Sequence, residues 1–129
     1  MIAVDASAIL AVVLKEDEAE TFEGILSAAS QSLISAVNYW EVLVRARVIR
    51  GAPMVALAEE FLRESNVLVA AVDADIARAA ADAFARFGPR SKGGLNLGDC
   101  FAYALAAREG DGLLFKGDDF PKTDVKRVA

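Results

Sequence analysis

Short apolar runs that end at acids or turn residues, alternating with segments of helical period, predict an α/β domain with a largely parallel sheet. Three observations carry this expectation. The chain opens on the apolar residues 1–4, stops at Asp5, and continues into a helix-forming stretch over residues 7–14. A β-branched apolar run, residues 67–72, stands between two helical segments. A third run, residues 113–115, follows the last long helical segment and leads into the turn Lys116-Gly117-Asp118-Asp119.

The other elements follow in order. Residues 17–29 form a second amphipathic segment, with Phe22, Ile25, Leu26 and Ala29 at helical spacing. Ser32 to Ser35, enclosing Leu33 and Ile34, reads as a brief strand. Residues 36–50 give the clearest helix, because Val37, Trp40, Val44 and Val48 recur at offsets of three and four. Gly51 ends it and Pro53 starts the next, which covers residues 54–64. Residues 73–87 are an Ala-rich helix that Asp73 caps. Residues 88–94, with Pro89, Arg90 and Lys92, read as a basic flexible loop, and residues 96–108 as the final long helix. A last short strand around Val125 is expected to close the sheet. The sequence shows no internal repeat or linker, so a single domain over residues 1–129 is expected.

Composition narrows the chemistry. The chain has 129 residues, 55% hydrophobic and 26% charged, the profile of one globular domain with a full core. Its opening reads as a strand and not as a signal peptide, and Glu41, Arg45 and Arg63 interrupt the later apolar stretches. Cytoplasm is therefore the expected location, with no membrane partner. Cys100 is the single cysteine, which excludes an intrachain disulfide and a zinc site built on several thiolates. There is no histidine, which excludes Ser-His-Asp and Cys-His catalysis and any imidazole base. Fourteen Lys plus Arg against 19 Asp plus Glu give a net charge of −5, which argues against a simple polyphosphate-coating protein. A nuclease remains open, because carboxylates gathered around divalent ions carry cations that reverse the local sign.

Four acids stand out. Ligands of parallel α/β sheets collect outside the carboxyl ends of the strands, and Asp5 and Asp118 each follow an apolar strand toward that edge. Glu41 lies four residues after Val37 and three before Val44, on or beside the apolar stripe, where an ionised carboxylate needs a cation or donors. A helix ion pair with Arg45 is the ordinary alternative. Asp99 sits at the start of its helix, where a capping box with Asn96 explains it equally well. Asp5 can likewise be a plain N-cap, and Asp118 or Asp119 can decorate a turn. Together, Asp5, Glu41, Asp99 and Asp118 match the all-oxygen donor set of a hard Mg²⁺ or Mn²⁺ site, which in turn suits phosphodiester cleavage.

At these residues the sequence resembles the PIN-domain family, and within it the VapC-type ribonuclease toxins of toxin–antitoxin pairs. The resemblance rests on Ile2-Ala3-Val4-Asp5-Ala6-Ser7, on Tyr39-Trp40-Glu41-Val42, on the stretch Leu95-Asn96-Leu97-Gly98-Asp99-Cys100-Phe101-Ala102-Tyr103, and on Leu113-Leu114-Phe115-Lys116-Gly117-Asp118-Asp119-Phe120, in order along nearly the whole chain. It implies a three-layer α/β/α sandwich and a metal-dependent endoribonuclease acting on structured RNA. It implies that Asp5, Glu41, Asp99 and Asp118 are the catalytic, metal-binding quartet, with Asp5 and Asp99 the firmest ligands of Mg²⁺ or Mn²⁺. Glu41 and Asp118 would complete the shell or activate water, and either member of the Asp118-Asp119 pair can be the one that turns inward. Ser7 is expected beside Asp5 as a contact to a ligand water or phosphate. The family further implies a homodimer and a cognate VapB-type antitoxin whose C-terminal segment covers the acids.

Other residues read more plainly. Trp40 is expected in the core or at a dimer interface, and Cys100 as a small buried filler. Lys116, Arg90 and Lys92 are candidates for phosphate contact. Two further functions compete. An aspartate-nucleophile phosphatase also places an acid after its first strand but needs another two residues on, where this chain has Ser7. A catalytically inactive PIN-fold module that binds RNA or an antitoxin would keep the fold and lose metal-dependent cleavage.

Overall fold

A computed structural model describes residues 1–91 and 93–129; Lys92 lies outside the described residues, and so does the expectation attached to it. The elements in chain order are β1 (Ile2–Val4), α1 (Ala6–Val13), α2 (Ala19–Ala28), β2 (Ser32–Ser35), α3 (Ala36–Glu64), β3 (Val67–Ala70), α4 (Ala74–Phe87), α5 (Leu97–Glu109) and β4 (Leu113–Leu114), followed by a 3₁₀ turn at Phe120–Lys122. The strands form one sheet in the order β3-β2-β1-β4, and every pairing is parallel.

Side chains of successive strand residues point to opposite faces, and the two cores follow that period. Ala3, Leu113 and Phe115 pack with α4 and α5 on one face. Val4, Ile34 and Leu114 pack with α1, α2 and α3 on the other. This is the three-layer α/β/α sandwich that was expected. The strands are short, two to four residues each, and most of the buried apolar residues come from the helices on the two faces.

The two helices expected on either side of Gly51 form one element with a break. Arg50 (φ −141°, ψ 20°) and Gly51 (φ 71°, ψ −162°) leave helical geometry, and Pro53 opens the second half. Gly51 holds a backbone conformation open mainly to glycine. The Tyr39 hydroxyl donates to Glu59 across the break and ties the halves together.

Two expectations change. The stripe of Val37, Trp40, Val44 and Val48 does not face the core. Trp40 is 61% and Val48 81% exposed, whereas Asn38, Val42 and Ala46 are fully buried. Small side chains at the inward positions let α1 and α5 come close to α3. Trp40 is therefore not a core residue. The last strand around Val125 is also absent. The chain there makes a single parallel bridge from Leu113 to Arg127. Pro121 and Thr123 explain this: proline lacks a ladder donor, and the Thr123 hydroxyl donates to Phe120 O (2.7 Å) while accepting from Val125 N (3.2 Å). Cys100 is buried, as expected. Among the described residues, no helix is long and apolar enough to cross a membrane.

Candidate active site

Because all four strands run the same way, their carboxyl ends share one edge. The chain winds outward from β1 through β2 to β3, then returns to place β4 on the other side of β1. The crevice at the end of β1 is thus the switch point where such sheets bind ligands. Asp5 occupies it. Extended backbone at Asp5 (φ −81°, ψ 156°) brings its carboxylate back onto α1, where it accepts from Ser7 N at 3.0 Å. Asp5 is the N-cap of α1 and a site acid at once, and it is 5% exposed.

Ser7 joins this strand end to its neighbour. Its Oγ accepts from Lys116 N at 3.0 Å, fixing the start of α1 against the segment that leaves β4. The Lys116 ammonium is held elsewhere, 3.1 Å from Glu16 Oε1 and 3.3 Å from Glu18 Oε1, and this pairing raises its pKa. Arg90 is exposed and takes part in no ion pair among the described residues.

Glu41 reaches the crevice from α3. It flanks the buried row Asn38-Val42-Ala46, so its inward position comes from that row and not from the Trp40 stripe. It does not pair with Arg45. Its Oε1 accepts from Asn38 Nδ2 at 2.7 Å, and the same Nδ2 donates to Gly98 O at 3.0 Å. Gly98 is the second residue of α5, and a Cβ built on it would lie 2.7 Å from both Cδ and Oε2 of Glu41. Glu41 thus rests on bare backbone at the start of α5. One residue on, Asp99 completes a reciprocal capping box: its N–H donates to Asn96 Oδ1 (2.8 Å) and its Oδ2 accepts from Asn96 N (3.0 Å). The box orients the carboxylate that the crevice also receives.

The electrostatics show that these acids share one environment. Burial is the main cause that raises the pKa of Asp5, with Ser7 donors working against it and the charge of Asp119 adding to it. Burial likewise raises Glu41, opposed by the Asn38 bond and by the charge of Arg45, and reinforced by Asp5. Asp99 is pushed up to about 7 by burial first, against the Asn96 bond, with Asp5, Asp119 and Glu41 adding repulsion. The loop acid felt by Asp5 and Asp99 is Asp119; both it and Asp118 are exposed. Asp5, Glu41 and Asp99 thus lie near enough to influence one another, and the loop charge that reaches Asp5 and Asp99 is that of Asp119, not Asp118.

No ion pair among the described residues involves Asp5, Glu41 or Asp99. Carboxylates buried without a cation are costly, and their all-oxygen chemistry is what a hard divalent ion takes. As the side chains stand, no three acids among the described residues are close enough to grip one ion. The donor chemistry fits Mg²⁺ or Mn²⁺, and closing on it calls for side-chain movement at the mouth, where Asp119 is exposed.

Two residues at this site escaped the sequence reading, Asn38 and Gly98. The signal for Asn38 was an amide three residues before an acid on one helix. The signal for Gly98 was a glycine inside the first turn of a helix, where alanine would be the better former.

Comparison with known proteins places the chain. The PIN domain family profile matches residues 2–126. A protein named Ribonuclease VapC from Mycolicibacterium smegmatis is 40% identical over 126 residues, covering 97% of this chain and 98% of the relative. Two solved structures share the fold: the sarcin–ricin loop cleaving toxin VapC20 of Mycobacterium tuberculosis (TM-score 0.81, 18% identity, 99% of this chain and 98% of that one) and a toxin–antitoxin complex from Klebsiella pneumoniae (TM-score 0.69, 19% identity, 100% and 97%). Buried acids at the switch point of a parallel α/β/α sandwich, a family profile spanning nearly every residue and whole-length likeness to VapC proteins lead to one assignment: the chain belongs to the PIN-domain family, on its VapC branch.

Proposed function

We propose that this protein is a divalent-metal-dependent endoribonuclease of the VapC toxin type, acting on structured RNA. The observation that carries the reading is that Asp5, Glu41 and Asp99 lie at the switch-point crevice, repelling one another and in no ion pair among the described residues. Asp5 and Asp99 would hold Mg²⁺ or Mn²⁺, with Glu41 and a loop acid completing the set. For the loop position the charge that reaches Asp5 and Asp99 favours Asp119 over Asp118. When bound, the ion supplies Lewis acidity toward a phosphate and offsets charge developing in the displacement. The chain's own residues do the positioning. Asp5 is fixed by the Ser7 N–H, and Asp99 by its capping box. Glu41 Oε1 is occupied by Asn38, which leaves Oε2 to accept a proton from an attacking water. Since the Lys116 ammonium is engaged by Glu16 and Glu18, Arg90 is the better contact for an RNA phosphate.

Two partners belong to the same reading. A VapB-type antitoxin is supported by the likeness to the Klebsiella toxin–antitoxin complex. A homodimer is supported by the outward face of α3, where Trp40, Val44, Val48 and Ile49 stand exposed on one helix. The functional test is to incubate the purified protein with a structured RNA and with DNA of matching sequence, in Mg²⁺, in Mn²⁺ and in EDTA. Endonucleolytic cuts in RNA that require the metal are expected. Intact RNA under every metal condition overturns the proposal.

A further inference from the structure

We infer that Asn38 is a positioning residue that, with the bare backbone of Gly98, holds the Glu41 carboxylate in its working place. This rests on the reading of Glu41 as a cation-site acid. Asn38 is 0% exposed, deep between α3 and α5. Both contacts of its side chain are donations from Nδ2, to Glu41 Oε1 (2.7 Å) and to Gly98 O (3.0 Å). Since both partners are acceptors, the amide can take this orientation alone: the flipped form would set oxygen against oxygen. Its Oδ1 is buried and has no donor among the described residues.

That arrangement is a poor choice for packing. A buried amide with an unmatched oxygen destabilises the fold, and an apolar side chain of similar volume would remove that cost. What the amide achieves is a link between two elements. It joins the helix that carries Glu41 to the first turn of the helix that carries Asp99, so the spacing of the two acids is set by one side chain. Gly98 contributes the other half. A Cβ there would occupy the space of the Glu41 carboxylate, 2.7 Å from Cδ and Oε2. A helix position that favours alanine on propensity therefore stays bare so that Glu41 can lie against it.

The inference is tested by double-mutant cycles with Asn38→Ala, Gly98→Ala and Glu41→Ala, reading kcat, KM and the Mn²⁺ dissociation constant from a Mn²⁺ titration without RNA. Asn38→Ala and Gly98→Ala should each weaken Mn²⁺ binding and lower kcat by about 10- to 100-fold, with KM little changed. In the Glu41→Ala background neither should cost more, because both act through Glu41. Gly98→Ala replaces glycine by the best helix former and tests the bare backbone, and Asn38→Leu, close in volume and without the unmatched oxygen, carries the question of Asn38 if Asn38→Ala fails to fold. Wild-type kcat and Mn²⁺ affinity in Gly98→Ala, or losses that multiply with Glu41→Ala, overturn the inference. If wild type binds Mn²⁺ but cuts no RNA, the ribonuclease reading falls while the Mn²⁺ cycle still decides the role of Asn38.

Discussion

Removing the charge of Asp99 should stabilise the metal-free protein at alkaline pH while destroying its use for a cation. In the folded chain burial and three neighbouring acids push Asp99 up to about 7 from 3.8. A raised carboxyl pKa contributes stability that is fully present below the unfolded value and is lost as pH rises through the folded one. Metal-free wild type should therefore lose stability at this residue between about pH 4 and pH 7. The shift of about three units sets a ceiling of about 4 kcal/mol, which solvent at the crevice mouth reduces to about 2 kcal/mol. Asp99→Asn removes the charge and keeps an oxygen for Asn96 N, so the capping box survives; the lost helix-dipole attraction costs about 0.5 kcal/mol. In EDTA at pH 8 the variant should melt about 5 °C above wild type, a gain that shrinks toward zero at pH 4. Saturating Mn²⁺ should reverse the order, because wild type alone keeps the full ligand set. The assay is thermal unfolding of both proteins across this pH range, with and without Mn²⁺. A Tm difference that is the same at pH 4 and pH 8 would rule out the Asp99 charge as its cause.

Gly51→Ala should lower stability by about 1–3 kcal/mol, because the φ of 71° and ψ of −162° at this break suit glycine; denaturant midpoints would show it. Val48→Arg, on the exposed α3 face, should shift a homodimer to monomer in sedimentation without changing the melting of the monomer itself. Arg90→Ala should raise the KM for RNA and flatten its salt dependence, whereas Lys116→Ala, which frees Glu16 and Glu18, should change KM less.

The order of elements was legible because the apolar runs are short and the longer helices carry their own punctuation: Gly51 breaks α3, Asp73 caps α4 and Asn96 caps α5. Asp5 and Asp99 were legible for the same reason that they had bland alternatives. An acid after a strand or at a helix start is in the right place both to cap and to reach the sheet edge, and here each does both. Glu41 shows the limit of periodicity. Its inward position was inferred from the stripe of Val37, Trp40, Val44 and Val48, yet that stripe faces outward, and Asn38, Val42 and Ala46 form the buried row beside it. A helical period finds a face without saying which neighbour covers it, and a face meant for another molecule has the same pattern as a core face. The choice between Asp118 and Asp119 was illegible because consecutive loop residues have no fixed direction until the chain around them is placed. The strand expected around Val125 failed because Pro121 has no ladder donor and the Thr123 hydroxyl takes up local bonds to Phe120 and Val125.

In the proposed function a carboxylate-held divalent ion supports RNA cleavage in the crevice at the end of β1. The most direct measurement compares RNA cleavage by wild type and Asp5→Asn, each with Mn²⁺ or with EDTA, alongside a Mn²⁺ titration of both. Asp5→Asn is nearly isosteric and keeps an oxygen that can accept from Ser7 N, so α1 should remain capped and the fold intact. Wild type should cleave in Mn²⁺ and not in EDTA, and Asp5→Asn should not cleave in either, with its Mn²⁺ binding weakened in step. Cleavage by Asp5→Asn at the wild-type rate, or wild-type cleavage untouched by EDTA, would contradict the proposed function.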